Sequence, residues 1–247
     1  MSRILNEGQS KAKQNISALK VSLFPIFFLV IFFLANCRPS PVILLPLPSN
    51  IESIEGYASL RINGDQGSSR SKFSFSFLLP HQGRIEVSNI LGRTLYQIIV
   101  TEERAAFIVP SKRVYWQGEE EEIIQYFLGF RLDLYEMINL LSGKWESKEM
   151  GHEAEEENEV WSFAKDERDR IMAGQRGEFR FEVKEFFADT PFARTLVFQH
   201  PVNYGRLKVL RINLNRPLKK GVFSLSVLER YEQKSWAEIE KILTDEN

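Results

Sequence analysis

From Lys72 to Leu79 the sequence alternates without a break, with Phe73, Phe75, Phe77 and Leu79 on one side of an extended chain and Ser74 and Ser76 on the other. A repeat of two is the repeat of a β-strand, and clean alternation of large apolar with small polar residues marks a strand with one buried face and one wet face. The pattern recurs. Ile85 and Val87 stand between Arg84, Glu86 and Ser88, and Phe179, Phe181 and Val183 between Arg180, Glu182 and Lys184. Leu210, Ile212 and Leu214 stand between Arg211 and Asn213, and Phe223, Leu225 and Val227 between Ser224 and Ser226. Further strands are expected at Glu55 to Ile62, Leu95 to Val100, Ala105 to Val109, Val160 to Ala164, Arg170 to Ala173 and Thr195 to Phe198. Turns such as Asn63-Gly64-Asp65 join them. With no strand–helix rhythm of a parallel sheet, about ten short strands predict a mainly β fold, either one large curved antiparallel sheet or an open barrel.

Helical signals are concentrated between the two runs of strands. Glu119 to Glu122 place acids where a helix N-terminus is positive, and Ile123, Ile124, Tyr126, Phe127 and Leu128 follow before Gly129 breaks the pattern. Asp133 precedes Glu136 by three residues, an Asp version of the capping box. Leu134, Met137, Ile138 and Leu141 then share one helical face and Gly143 is a natural stop. Two apolar helices in this place suit a lid or plug on the concave face of the sheet. A last amphipathic stretch runs from Ser235 to Leu243. The acidic stretch Glu149 to Glu159 reads as a solvated hairpin loop; the competing reading is a metal held by His152 and its glutamates, for which no ligand spacing is defined.

The N-terminus has a different character. Met1 to Lys20 is polar and carries Arg3, Lys11, Lys13 and Lys20 against Glu7, and Val21 to Ala35 is apolar apart from Ser22 and Pro25. That block is short for a membrane span and suits the core of a signal peptide. It ends in Leu34-Ala35-Asn36-Cys37, which resembles a lipobox, with Asn36 in place of the usual small residue. Cys37 is the only cysteine in 247 residues, which excludes an intramolecular disulfide and gives the residue a role as the lipidated N-terminus of a bacterial lipoprotein. The alternative is an uncleaved anchor helix. By resemblance to enteric lipoproteins, in which Asp at the position of Arg38 retains the protein at the inner membrane, Arg38 implies the outer membrane. Pro39, Pro41, Pro46 and Pro48 make residues 38–50 a semi-rigid spacer. The expected organisation is therefore a signal peptide over 1–36, a lipidated Cys37 and tether over 37–50, and one β domain with a C-terminal helix over 51–247.

A formal net charge of −1 offers no basic excess for a nucleic-acid binder. There is no Gly-x-Ser-x-Gly, no phosphate loop and no His-Glu-x-x-His, and His81, His152 and His200 stand in unrelated surface contexts. A lipid on Cys37 removes it as a nucleophile. These features predict a protein that is not an enzyme, and no cofactor or metal is implied.

The run Arg84-Ile-Glu-Val-Ser-Asn-Ile-Leu-Gly-Arg-Thr-Leu-Tyr-Gln-Ile, with Tyr115, Gly118 and the helix Leu134 to Gly143, resembles the LolB family of outer-membrane lipoproteins. The similarity covers Ile51 to Leu214 as a pattern of strands and turns, and Asn89 to Thr94 is its most specific part. It implies an unclosed antiparallel β-barrel of LolA/LolB type, with helices covering the mouth of a cavity for acyl chains. On that reading Phe73, Phe75, Phe77, Met137, Ile138, Leu141, Phe179, Phe181 and Val183 line the cavity; a filled core is the other reading of the same residues. By position Leu91, flanked by Ile90, matches the exposed leucine with which the family pushes cargo into the bilayer, although Ile90 replaces the family's proline. The alternative is that Ile90 and Leu91 continue a buried strand. The partners implied are outer-membrane lipid, acylated lipoproteins and a LolA-like periplasmic carrier, with the domain facing the periplasm. A structural or interaction lipoprotein of the same fold, without lipid transfer, competes with this function.

Overall fold

The computed structural model describes residues 47–64, 67–89, 91–128, 132–145 and 160–244. The signal peptide, Cys37, the tether as far as residue 46, Ile90 and the acidic stretch 149–159 lie outside these residues. The chain runs β1 (Ser53–Gly64), β2 (Gly67–Leu78), β3 (Gln82–Ser88), β4 (Thr94–Val100), β5 (Ala105–Val109) and β6 (Val114–Gly118). Two helices follow, α1 (Glu120–Leu128) and α2 (Leu134–Ser142). Then come β7 (Ser162–Lys165), β8 (Ile171–Arg176), β9 (Phe179–Phe186), β10 (Ala193–His200) and β11 (Asn203–Leu214). A 3-10 turn (Ser226–Arg230), the two-residue strand β12 (Glu232–Gln233) and α3 (Trp236–Thr244) close the chain.

All the strands form one 12-stranded sheet in the order β12-β6-β5-β4-β3-β2-β1-β11-β10-β9-β8-β7. Its pairings are antiparallel except the last, where β12 runs parallel to β6. β7 and β12 end the order without meeting, so the sheet is an unclosed barrel of the mainly β class. Both edges are blunted: β7 is four exposed residues ending in Lys165, and β12 is a single Glu-Gln pair. The two runs of strands, β1 to β6 and β7 to β11, join where β1 pairs with β11 from Ile54↔Leu214 to Gly64↔Asn203.

The inward faces of the strands, α1, α2 and Ile239 of α3 share one apolar cluster. A second, smaller cluster lies on the outer face of β4 and β5, where Ile99, Ala106 and Ile108 meet Leu228, Phe223, Leu225 and Val227. This corrects one expectation: Phe223 to Val227 is not a strand. Its alternation reports one-sided burial, which a turn lying flat across a sheet satisfies as well as a ladder does. The covering also explains β5, all five residues of which are buried.

Both clusters and every strand lie within a compact unit, Ile43–Asn247, which has its own core and so the makings of independent folding. No described helix is long and apolar enough to cross a membrane.

Candidate functional site

The inner face is broad because aromatic rings lie across it instead of standing up from it. Four inward glycines make room. A Cβ on Gly205 would stand 1.7 Å from the ring of Phe198, its cross-strand partner, and one on Gly56 would stand 2.2 Å from the ring of Phe75. Gly174 is overlain in the same way by Phe181, and Gly83 by Leu134 and Phe77. Glycine opposite an aromatic residue is a device that bends sheets and covers bare backbone.

All nine residues expected to line a cavity are buried in the one inner cluster. The structure brings them together in two groups. On β2, Phe73, Phe75 and Phe77 form a row with centroids 6.2 and 5.3 Å apart, closed from above by Phe127 of α1, edge-on to Phe73 at 5.1 Å. On β9, Phe179, Phe181 and Val183 continue the face, and Trp161 meets Phe179 edge-on at 5.8 Å. Met137, Ile138 and Leu141 come down from α2 into the same cluster. Each such side chain removed from water contributes about 1.5–3 kcal/mol.

Sequence reading missed the tryptophans, and they close both open ends of the sheet. Near β6, Trp116, Tyr126 and Trp236 stack, with Tyr126 and Trp236 centroids 3.6 Å apart. Near β7, Trp145, Trp161 and Phe163 stack at 4.7–5.6 Å. No periodicity announces these clusters, because their members come from separate elements.

Helix α2 is tied to the frame at both ends. The expected capping box is present: Asp133 Oδ1 accepts from the Glu136 amide at 2.6 Å, and the Asp133 amide donates to Glu136 Oε2 at 3.1 Å. Glu120 of α1 accepts from the Leu134 amide and so binds the two helices together. The C-terminus ends at Gly143 with φ 67°, against the Pro191 carbonyl. Glu136 is 8% exposed; its Oε1 accepts from Trp161 Nε1 at 2.7 Å and pairs with the Arg176 guanidinium, which lies 5.1 Å over the Trp161 ring. Burial pushes the Glu136 carboxyl above the usual range despite these partners.

Leu91 sits on the turn between β3 and β4. It does not continue a buried strand: it is 75% exposed. The turn is built by Asn89, whose Oδ1 accepts from the Leu91 amide at 2.9 Å and the Arg93 amide at 3.0 Å. Gly92 takes φ 76°, which closes the turn, and its amide donates to Asn89 O at 3.0 Å. The Asn-x-Leu-Gly-x-Thr piece is thus a device for holding one leucine out in water.

His81 lies exposed on the turn between β2 and β3, His200 ends β10, and His152 is outside the described residues. Among the described residues no three His, Cys, Asp or Glu side chains stand together as a metal site requires. An acidic group, Glu119 to Glu122 with Asp133, lines an open cleft of about 690 Å³ beside Pro80 and His81.

No protein-family profile and no curated protein sequence matches this chain. Solved structures do. A Vibrio parahaemolyticus domain described as an outer membrane lipoprotein-sorting protein superimposes with TM-score 0.50 at 12% identity, over 74% of this chain and 93% of that one. A LolA superfamily protein from Nitrosomonas europaea superimposes with TM-score 0.50 at 10% identity, over 70% of this chain and 90% of that one. At these identities the likeness is one of fold: the chain has the open LolA-like barrel.

Proposed function

We propose that this protein is a lipoprotein anchored through Cys37 to the outer membrane, facing the periplasm, where it receives acylated lipoproteins from a LolA-like carrier and passes them to the bilayer. The observation that carries the reading is Leu91: a large apolar side chain, 75% exposed, held out by a dedicated Asn89 turn on an open barrel whose inner face is aromatic. Acyl chains would be held by burial against that face beneath α1 and α2, at about 0.8 kcal/mol per methylene. Residues 1–36 are the cleaved leader and 37–50 the tether. No step in this activity calls for catalysis or a cofactor.

A structural lipoprotein of the same fold is the second reading. It is favoured by the mutual packing of the aromatic residues on the inner face, which is what a filled core shows. Native mass spectrometry of the unit 43–247 with a detergent-solubilised acylated lipoprotein separates the two, with Leu91→Glu in parallel. Stoichiometric binding by both forms, with insertion into liposomes lost only in Leu91→Glu, is the expected result. Absence of acyl binding by the unsubstituted unit would leave the structural reading.

A further inference from the structure

Three arginines stand side by side on the outer face of the sheet. Register places Arg61 of β1 opposite both Arg70 of β2 and Arg206 of β11. Two residues along, Ser59 lies between Lys72 and Lys208. These positions alternate with the buried Leu60, Phe73 and Leu207, so the five cations face away from the helices; all are exposed except Lys208, which is half-buried. No carboxylate among the described residues forms an ion pair with any of them. Like charges directly opposite one another on neighbouring strands destabilise a sheet. The row therefore works against the fold until an outside anion neutralises it.

The surroundings narrow down that anion. Tyr57 and Leu210 flank the cations on one side, and Tyr204 and Val202, at the β10–β11 turn, on the other; all four are at least 40% exposed. Ser88, the last residue of β3, is level with Lys72, so the turn that carries Leu91 and Arg93 begins where the arginine row stands. Acids gather at the opposite end of the sheet, with Glu102 and Glu103 between β4 and β5 and Glu119 to Glu122 after β6. A polarised molecule with apolar and tyrosine side chains interleaved among cations at one end suits a plane of anions with hydrocarbon behind it. Guanidinium groups match phosphate oxygens in pairs, and tyrosine settles at the boundary of headgroup and chain.

We infer that the outer face of β11, β1 and β2, with the Leu91 turn at its margin, is a docking surface for an anionic lipid bilayer. It orients the barrel on the membrane, and it does so whether or not the inner face holds an acyl chain, so its failure and that of the acyl-binding reading are read in separate assays.

The test is partition of the unit 43–247 onto phosphatidylcholine vesicles with and without phosphatidylglycerol, at low salt. The unsubstituted unit binds the anionic vesicles and releases them as salt rises. A cation near an anionic surface is worth about 1 kcal/mol, or roughly fivefold, so Arg61→Ser, Arg70→Ser and Arg206→Ser together lower partition by about a hundredfold. A control with Arg104→Ser, Lys219→Ser and Lys220→Ser removes the same charge elsewhere and keeps the binding. The triple arginine variant also melts no lower than the parent, since it relieves repulsion, which excludes misfolding as the cause. Equal losses in both triple variants, or no binding by the parent, would overturn the inference. A parent that ignores vesicles but retards an oligonucleotide would overturn it in favour of nucleic acid.

Discussion

Glu136→Ala is expected to cost about 3 kcal/mol of stability, seen as a lower urea midpoint with little change of slope. The substitution does more than delete one ion pair. It leaves the part-buried Trp161 indole N–H without its acceptor, removes the ion pair to Arg176 and takes away the side-chain half of the capping box at Asp133. An uncompensated donor in such a place costs more than the pair contributes. Glu136→Gln is expected to be milder, and it isolates the charge. Burial holds the Glu136 carboxyl above the ordinary glutamate value, outweighing the Trp161 hydrogen bond and the Arg176 charge. Between the ordinary value and the raised one the folded chain therefore keeps a proton that the unfolded chain has released. Stability from this group falls as pH rises through that window and is flat above it. Melting curves across mildly acid pH should show that decline in the parent and a shallower one in Glu136→Gln. A residual slope remains from Glu120, which burial raises in the same sense.

Phe75→Ala should cost about 3–5 kcal/mol. Phe75 is 2% exposed, stacks on Phe77 and lies over Gly56, which has no side chain to move into the vacated space. The ladders of β2 with β1 and β3 hold the backbone on both sides, so the hole persists. The same hole distinguishes the two proposed functions. If the inner face receives acyl chains, a fatty acid raises the melting temperature of Phe75→Ala more than that of the parent, because a ligand that binds only the folded state stabilises it in proportion to its affinity. If the face is only a core, the variant loses stability and the fatty acid restores none of it.

Much of this architecture is legible in the sequence, because burial on one face writes itself into alternate residues. β2, β3 and β9 show it, and so does α2 with its capping box and terminal glycine. The misreading of Phe223 to Val227 comes from the same rule: alternation records which side is wet and not whether a neighbouring strand supplies hydrogen bonds. β6 carries no readable period because Val114, Tyr115 and Trp116 serve both apolar clusters in turn. The exposed leucine was located by the Asn89–Thr94 pattern, whereas its exposure could be decided only by the Asn89 turn. The Glu136–Arg176 bond spans 40 residues and the arginine row joins three strands. Such features depend on register, which no single stretch of sequence contains.

The seam between β1 and β11 has a consequence for how the chain is made. Ile54 must find Leu214, and a contact between residues so far apart closes slowly, after local hairpins have formed. The meander from β1 to β6 can assemble as soon as it emerges, while β1 waits with its outer edge bare until the C-terminal half arrives. A long unpaired edge invites pairing with another copy. During that interval Arg61 stands near the end of the waiting strand, so two such edges laid parallel and in register bring cations together. The repulsion that weakens the finished sheet then guards the half-built one, and the protein is least exposed to self-association once β11 has covered the edge.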